Sequence, residues 1–243
     1  MPSSGKGAAG LERGDELVRF LTGFTDRRAE AVGEAAYELL RQAFRGYPLE
    51  RLVPLLRSEY DPVVESGSWI LSELAIQAAP LLAEVAILLE HPSRTVRWNA
   101  VDTVHSAAGT EDGPVIAKAI ARVADQWGPL RTRVMDFLAW SAREQVDAAV
   151  PHLTGEVREL TGWLAAAMRG GTTAEDVVPR LDSGDPVVRS FAAAVAVVFF
   201  DDDRRPLDHA AASADEDVRR FAARELATPP GRRARRRATV WRA

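Results

Sequence analysis

The feature that most constrains this chain is an internal repeat of about thirty residues. Three segments align directly: "LVPLLRSEYDPVVES", "AVPHLTGEVREL" and "VVPRLDSGDPVVRS". Each carries small or branched apolar residues before a proline (Pro54, Pro151, Pro179), then an apolar position, a polar turn and a new helix start. Asp61-Pro62 and Asp185-Pro186 pair a capping acid with proline at the first helical position, where the missing N–H is of no consequence. Ser93 before "RTVRWNA" and Asp215 before "EDVRRFA" are expected to cap in the same way.

Anchoring on the apolar residue that opens each second helix gives Val32, Val63, Val96, Leu130, Val157, Val188 and Val218, spaced by 31, 33, 34, 27, 31 and 30 residues. Small or apolar residues recur near +4, +8 and +11 from each anchor, as in Ala100, Val104 and Ala107 or Ala192, Ala196 and Phe199. That spacing is one face of a helix. Upstream segments such as "APLLAEVAILLE" and "PVIAKAIARVA" supply the first helix of each pair, and no comparable strand pattern competes.

This pattern resembles the HEAT-repeat family, most clearly in "DPVVRSFAAAVA", in "DEDVRRFAARELA" and in the prolines of the preceding helices. The resemblance implies an all-α, right-handed α-solenoid of about seven antiparallel helix pairs. It covers residues 11–227, leaving 1–10 as an expected disordered tail and 228–243 as a basic tail. In the family an arginine commonly follows the anchor and joins a polar ladder between repeats. Arg97, Arg131, Arg158, Arg189 and Arg219 match, whereas Gly33 and Val64 do not. A helix pair this short relies on its neighbours to bury its apolar face, so one cooperative array is expected.

The formal net charge of −4 conceals an asymmetry. From Thr228 onward the chain holds six arginines and no acid, leaving about −10 on the remainder. An acidic body is a poor general ligand for phosphate backbones. The absence of cysteine excludes disulfides and thiolate metal sites. The N-terminus lacks the charged-then-apolar layout of a signal peptide, and no apolar run reads as long enough for a bilayer, so cytoplasmic residence is expected.

On a helical wheel, positions +2, +6, +9 and +10 from the anchor fall opposite the apolar stripe. In the HEAT family the second helices line the concave side, so the resemblance makes this sector a groove floor. It contains Glu34 and Glu38, then Glu65, Trp69 and Glu73. Trp98, Asp102 and His105 follow, then Thr132, Asp136 and Trp140, then Glu159 and Trp163. Four of the six tryptophans and seven acids thus share one expected surface. Later repeats change character, with Ser190, Ala194, Arg220 and Arg224. Tryptophan is enriched at interaction hot spots, and acids interleaved with aromatics suit arginine or lysine.

The expected partner is therefore a basic protein segment held without catalysis, in the manner of an adaptor or inhibitor. Bacterial HEAT-repeat proteins of this size include both. Self-association, with the arginine tail in a neighbour's groove, is a further possibility.

An enzymatic alternative rests on "WNAVD", which is similar to the aromatic–acid pairing of the HEAT-like alkylpurine DNA glycosylases. Trp98 and Asp102 are the matching positions, and DNA would be the partner. The family's downstream tryptophan has no counterpart in "RSFAAAVAVVFF", and the expected groove is acidic. Other chemistry lacks its residues. His91, His105, His152 and His209 sit in different repeats without zinc spacing. "SSGKG" lacks the spacing of a phosphate loop, and Asp201, Asp202 and Asp203 read as an exposed inter-helix loop. No cofactor or metal is expected, and no membrane partner.

Overall fold

In a computed structural model, residues 4–23 and 29–229 are described, and they contain fourteen α-helical segments with short 3₁₀ turns and no strand. The fold is all-α and built as a solenoid of helix pairs. The contacts divide it into two compact units, residues 1–107 and 108–243. The single repeat domain expected over 11–227 is thus shared between two units. The first helix begins at Ser4, within the segment 1–10 expected as a tail. The basic tail lies outside the described residues, except for Thr228 and Pro229.

The first unit holds α1 (Ser4–Thr22), α2 (Ala29–Phe44), α3 (Val53–Leu56), α4 (Asp61–Leu74), α5 (Leu82–Leu88) and α6 (Arg94–Ala107). The second helices α2, α4 and α6 lie side by side, each backed by its own first helix. The anchor stripe is the glue: Val63, Val96, Ala100 and Val104 are buried. At about 1.5–3 kcal/mol per large apolar side chain, three or four such residues dock each repeat. Gly67 lets α4 press onto α3, since a Cβ there would stand 2.9 Å from the Leu55 and Leu56 side chains. Between α4 and α6 the buried Asn99 amide donates to the Ser68 hydroxyl at 3.0 Å. Asp15 of α1 accepts from the buried Tyr47 hydroxyl at 2.8 Å and from Arg51 at 2.6 Å, tying the first pair to the start of the second. These donors hold the Asp15 carboxyl below its ordinary range, the Arg51 bond most of all.

Helical residues 61–88 contain an 18-residue window of mean hydropathy 1.6, long and apolar enough by composition to cross a membrane, contrary to the expectation from sequence. The path does not continue straight. Ala75 has φ 50°, a left-handed conformation that ends α4 and turns the chain into the 3₁₀ segment before α5. Its apolarity serves the packing of two successive repeats, with Val63, Ile70, Leu71, Leu82, Val85 and Leu88 all buried.

The second unit holds α7 (Gly113–Ala121), α8 (Gly128–Trp140), α9 (Arg143–Ala149), α10 (Gly155–Met168), α11 (Val178–Leu181), α12 (Pro186–Phe199), α13 (Arg205–Ala211) and α14 (Glu216–Ala227). Here the neighbour order is not simply sequential. Helix α8 packs against α12 and α14, while α10 packs on α9 and α12. Phe137, Phe191 and Phe221, from α8, α12 and α14, are all fully buried.

The caps follow sequence in part. Asp185 accepts from the Val187 N–H at 2.7 Å, and Asp215 accepts from Asp217 and Val218. Asp61 instead lies inside the first turn of α4 without a capping bond, and Ser93 donates its hydroxyl to Glu65 at 2.7 Å. The arginines after the anchors share a recurrent bond. Arg97, Arg189 and Arg219 each reach back six residues to a carbonyl of the preceding turn, at His91, Ser183 and Ser213. Arg189 also bonds Asp215, so the polar ladder runs from α12 to α14.

Candidate functional site

The acid–aromatic residues expected on one floor are divided between the two units. In the first unit, α2, α4 and α6 turn a shared stripe outward. On α4, Glu65 and Trp69 are partly exposed and Glu73 is exposed, one turn apart. On α6, Trp98, Asp102 and His105 are all partly exposed. On α2, Glu34 is exposed, and Glu38 is held by Arg41 at 3.2 Å and by Gln42 at 2.6 Å. Tyr37, 59% exposed, lies on the same face between them and was not singled out from sequence. A surface tyrosine one turn from Glu34 and Arg41 was its only signal.

Helix register explains why these side chains stay outside. Val63, Ile70 and Leu71 bury one side of α4, and Val96, Ala100 and Val104 bury one side of α6. The Asn99–Ser68 bond fixes the two helices against each other between those sides. Tryptophans one or two positions away from that seam are left at its outer edge. Glu65 is oriented by the Ser93 hydroxyl, which keeps one of its oxygens engaged.

In the second unit Asp136 and Trp163 are partly exposed and make contacts within the chain, and Trp140 is buried. Trp140 is 5% exposed. Its helix is packed on α12 and α14. Asp136 bonds Arg224 of α14 and lies 3.7 Å from Arg133. Trp163 carries the Arg180 guanidinium over its ring, 4.5 Å from the centroid. The cation–aromatic pairing anticipated for a partner is thus made internally at this position. Arg224 has an 88-residue sequence separation from Asp136, which repeat spacing alone does not reveal. Glu159 is exposed.

Carboxylates of the first-unit stripe can accept from guanidinium or ammonium groups, and Trp69, Trp98 and Tyr37 can lie against their stems. Among the described residues no cluster of three or more His, Cys, Asp or Glu could hold a metal ion. His209 bonds Asp182 at 2.8 Å, and His91 lies 3.8 Å from Asp61, in separate units. Asp203 bonds the Arg205 side chain and N–H and is held below the ordinary carboxylate range by them. Asp201 and Asp202 are exposed, as expected for the loop after α12.

No family model matches the chain, and no curated protein does. Among solved structures it is similar to an engineered protein at 16% identity, with a TM-score of 0.46 over 94% of this chain and 71% of that one. A second engineered protein has 17% identity and a TM-score of 0.44 over 87% of this chain and 88% of that one. A designed armadillo repeat protein has 15% identity and a TM-score of 0.46, covering 90% and 97% of the two chains. Identity at this level transfers neither partner nor activity. The fold described above rests on the chain's own helices.

Proposed function

We propose that this chain is a non-catalytic, HEAT-type interaction module of the bacterial cytoplasm, acting as an adaptor or inhibitor. It binds a basic protein segment on the outward face of α2, α4 and α6. The observation that carries this reading is the stripe of Glu65, Trp69, Glu73, Trp98 and Asp102 on two adjacent helices of one unit. Arginine or lysine side chains extended along the stripe would pair with the carboxylates and lay their apolar stems on the indoles. The internal Arg180–Trp163 stack shows the same chemistry at work within the second unit.

The proposal narrows the sequence-level site. Asp136, Trp140 and Trp163 are assigned to the architecture of the second unit, and binding to Glu65, Trp69, Glu73, Trp98, Asp102 and His105 of the first. The test is titration of an arginine-rich peptide into the full chain, with a glutamate-substituted peptide as control. Binding that weakens with Trp98→Ala and with added salt supports the proposal. Affinity unchanged by both removes it.

A further inference from the structure

The C-terminal ends of α8, α10 and α12 converge on one cleft of about 340 Å³ in the second unit. Ala139, Trp140 and Ser141 come from the end of α8, Ala167, Met168 and Gly170 from α10, and Val198, Phe199 and Asp202 from α12 and its loop. The volume falls in the range of small-molecule sites, about 300–1,000 Å³. The walls are an indole, a phenyl ring, a thioether and small aliphatic groups. Gly170, at φ 75°, turns the chain away after α10.

Most of the charge around this cleft is negative, although α9 begins at its edge with Arg143. A helix C-terminus carries a partial negative charge, equivalent to about half an elementary charge, and three of them meet here. Asp202 adds a full carboxylate at the rim, and among the described residues no cation pairs with it. The single cation on the lining is Arg143. Its guanidinium is already matched, by Glu144 at 2.7 Å and Asp147 at 3.9 Å.

We infer that this cleft binds a small cation with an apolar body, of the arylalkylamine class. The ring lies between Trp140, Met168 and Phe199, and the ammonium faces Asp202 and the helix ends. Charge pairing and contact with the aromatic rings act together on such a ligand. An anion of the same shape meets both Asp202 and the helix termini unfavourably. This site is separate from the α2/α4/α6 stripe and stands independently of the function proposed for it.

The experiment is a titration of the full chain with 2-phenylethylamine, 2-phenylethanol and 3-phenylpropionate, followed by saturation-transfer NMR and calorimetry. The amine is expected to bind at least about fivefold more tightly than the alcohol, the increment of a charge-assisted contact at a partly exposed rim. The carboxylate is expected not to bind. Asp202→Asn, at an exposed position, should bring the amine down to the alcohol, and Ala139→Leu should weaken both by filling the cleft. Trp98→Ala, in the other unit, should leave the amine unaffected. Circular dichroism of each variant confirms that the fold persists. Equal binding of amine and alcohol, preference for the carboxylate, absence of binding by all three, or an Asp202→Asn variant that still prefers the amine would each overturn the inference.

Discussion

Arg189 donates from Nε and Nη2 to one carboxylate oxygen of Asp215, at 3.0 and 2.7 Å, while its Nη1 donates to the Ser183 carbonyl at 2.7 Å. The other Asp215 oxygen accepts from the Asp217 and Val218 N–H groups at the start of α14. One guanidinium thus joins the turn before α12 to the cap of α14. Removing either partner leaves the other charge in a poorly solvated place, with Arg189 20% and Asp215 10% exposed at the side chain. Arg189→Ala is expected to lower stability by about 2–3 kcal/mol, as for hydrogen bonds to charged groups. A double-mutant cycle with Asp215→Ala in urea denaturation should show the two effects to be strongly non-additive.

The same pair gives a pH dependence. Burial pushes the Asp215 carboxyl up, yet the Arg189 bond and the N–H bonds from Val218 and Asp217 outweigh it, so it is lowered from its ordinary value of 3.8. A lowered native value means that the unfolded chain takes up the proton first as pH falls. The stabilisation is therefore complete above the ordinary carboxylate range and lost as pH drops below 3.8 toward the lowered native value. Urea midpoints followed from pH 6 to 3 should fall less steeply in Asp215→Asn than in the parent chain.

Gly128 opens α8 against α14. A Cβ at this position would stand 2.4 Å from a carboxylate oxygen of Asp217, the residue that also bonds Arg131. Gly128→Ala gains helix propensity, worth up to about 1 kcal/mol. It also pushes Asp217 away from Arg131, and overpacking of this kind costs about 1–3 kcal/mol. The expected result is a net loss of stability, largely relieved when Asp217 is shortened to serine in the same chain. Thermal denaturation of the parent chain and the two variants checks it.

Asn99 is a polar group inside the first unit, 5% exposed, with its amide on the Ser68 hydroxyl. Asn99→Ala is expected to cost about 1–2 kcal/mol, since it removes the bond and leaves a small void. Because this bond sets the register of α4 on α6, the variant should also weaken binding at the Trp69 and Trp98 stripe. A melting curve and a peptide titration on the same sample read both effects.

The helix pairs were legible because their cause is periodic. The stripe through Val96, Ala100 and Val104 recurs wherever a second helix docks, and aspartate with proline marks where those helices begin. The division after Ala107 was not legible, because it is made by side chains far apart in sequence. Helix α8 reaches α14 through Arg131 and Asp136, and nothing in a thirty-residue period announces partners more than eighty positions away. For that reason the Asp136–Arg224 pair was not anticipated, nor the burial of Trp140. The Arg180 stack on Trp163 was not anticipated because Arg180 sits on the short helix of the next repeat. The exposure of Glu73 and the partial exposure of Glu65, Trp69, Trp98 and Asp102 were readable because they depend on local helical register, which the apolar anchors set.

The most direct test of the central claim is the affinity of an arginine-rich peptide for four versions of the full chain: parent, Trp98→Ala, Glu73→Gln and Trp163→Ala. The account predicts that Trp98→Ala and Glu73→Gln each weaken binding, by roughly three- to thirtyfold for the indole as at interface hot spots, while Trp163→Ala leaves it within error. Loss of binding in Trp163→Ala with the first-unit variants unaffected would contradict it.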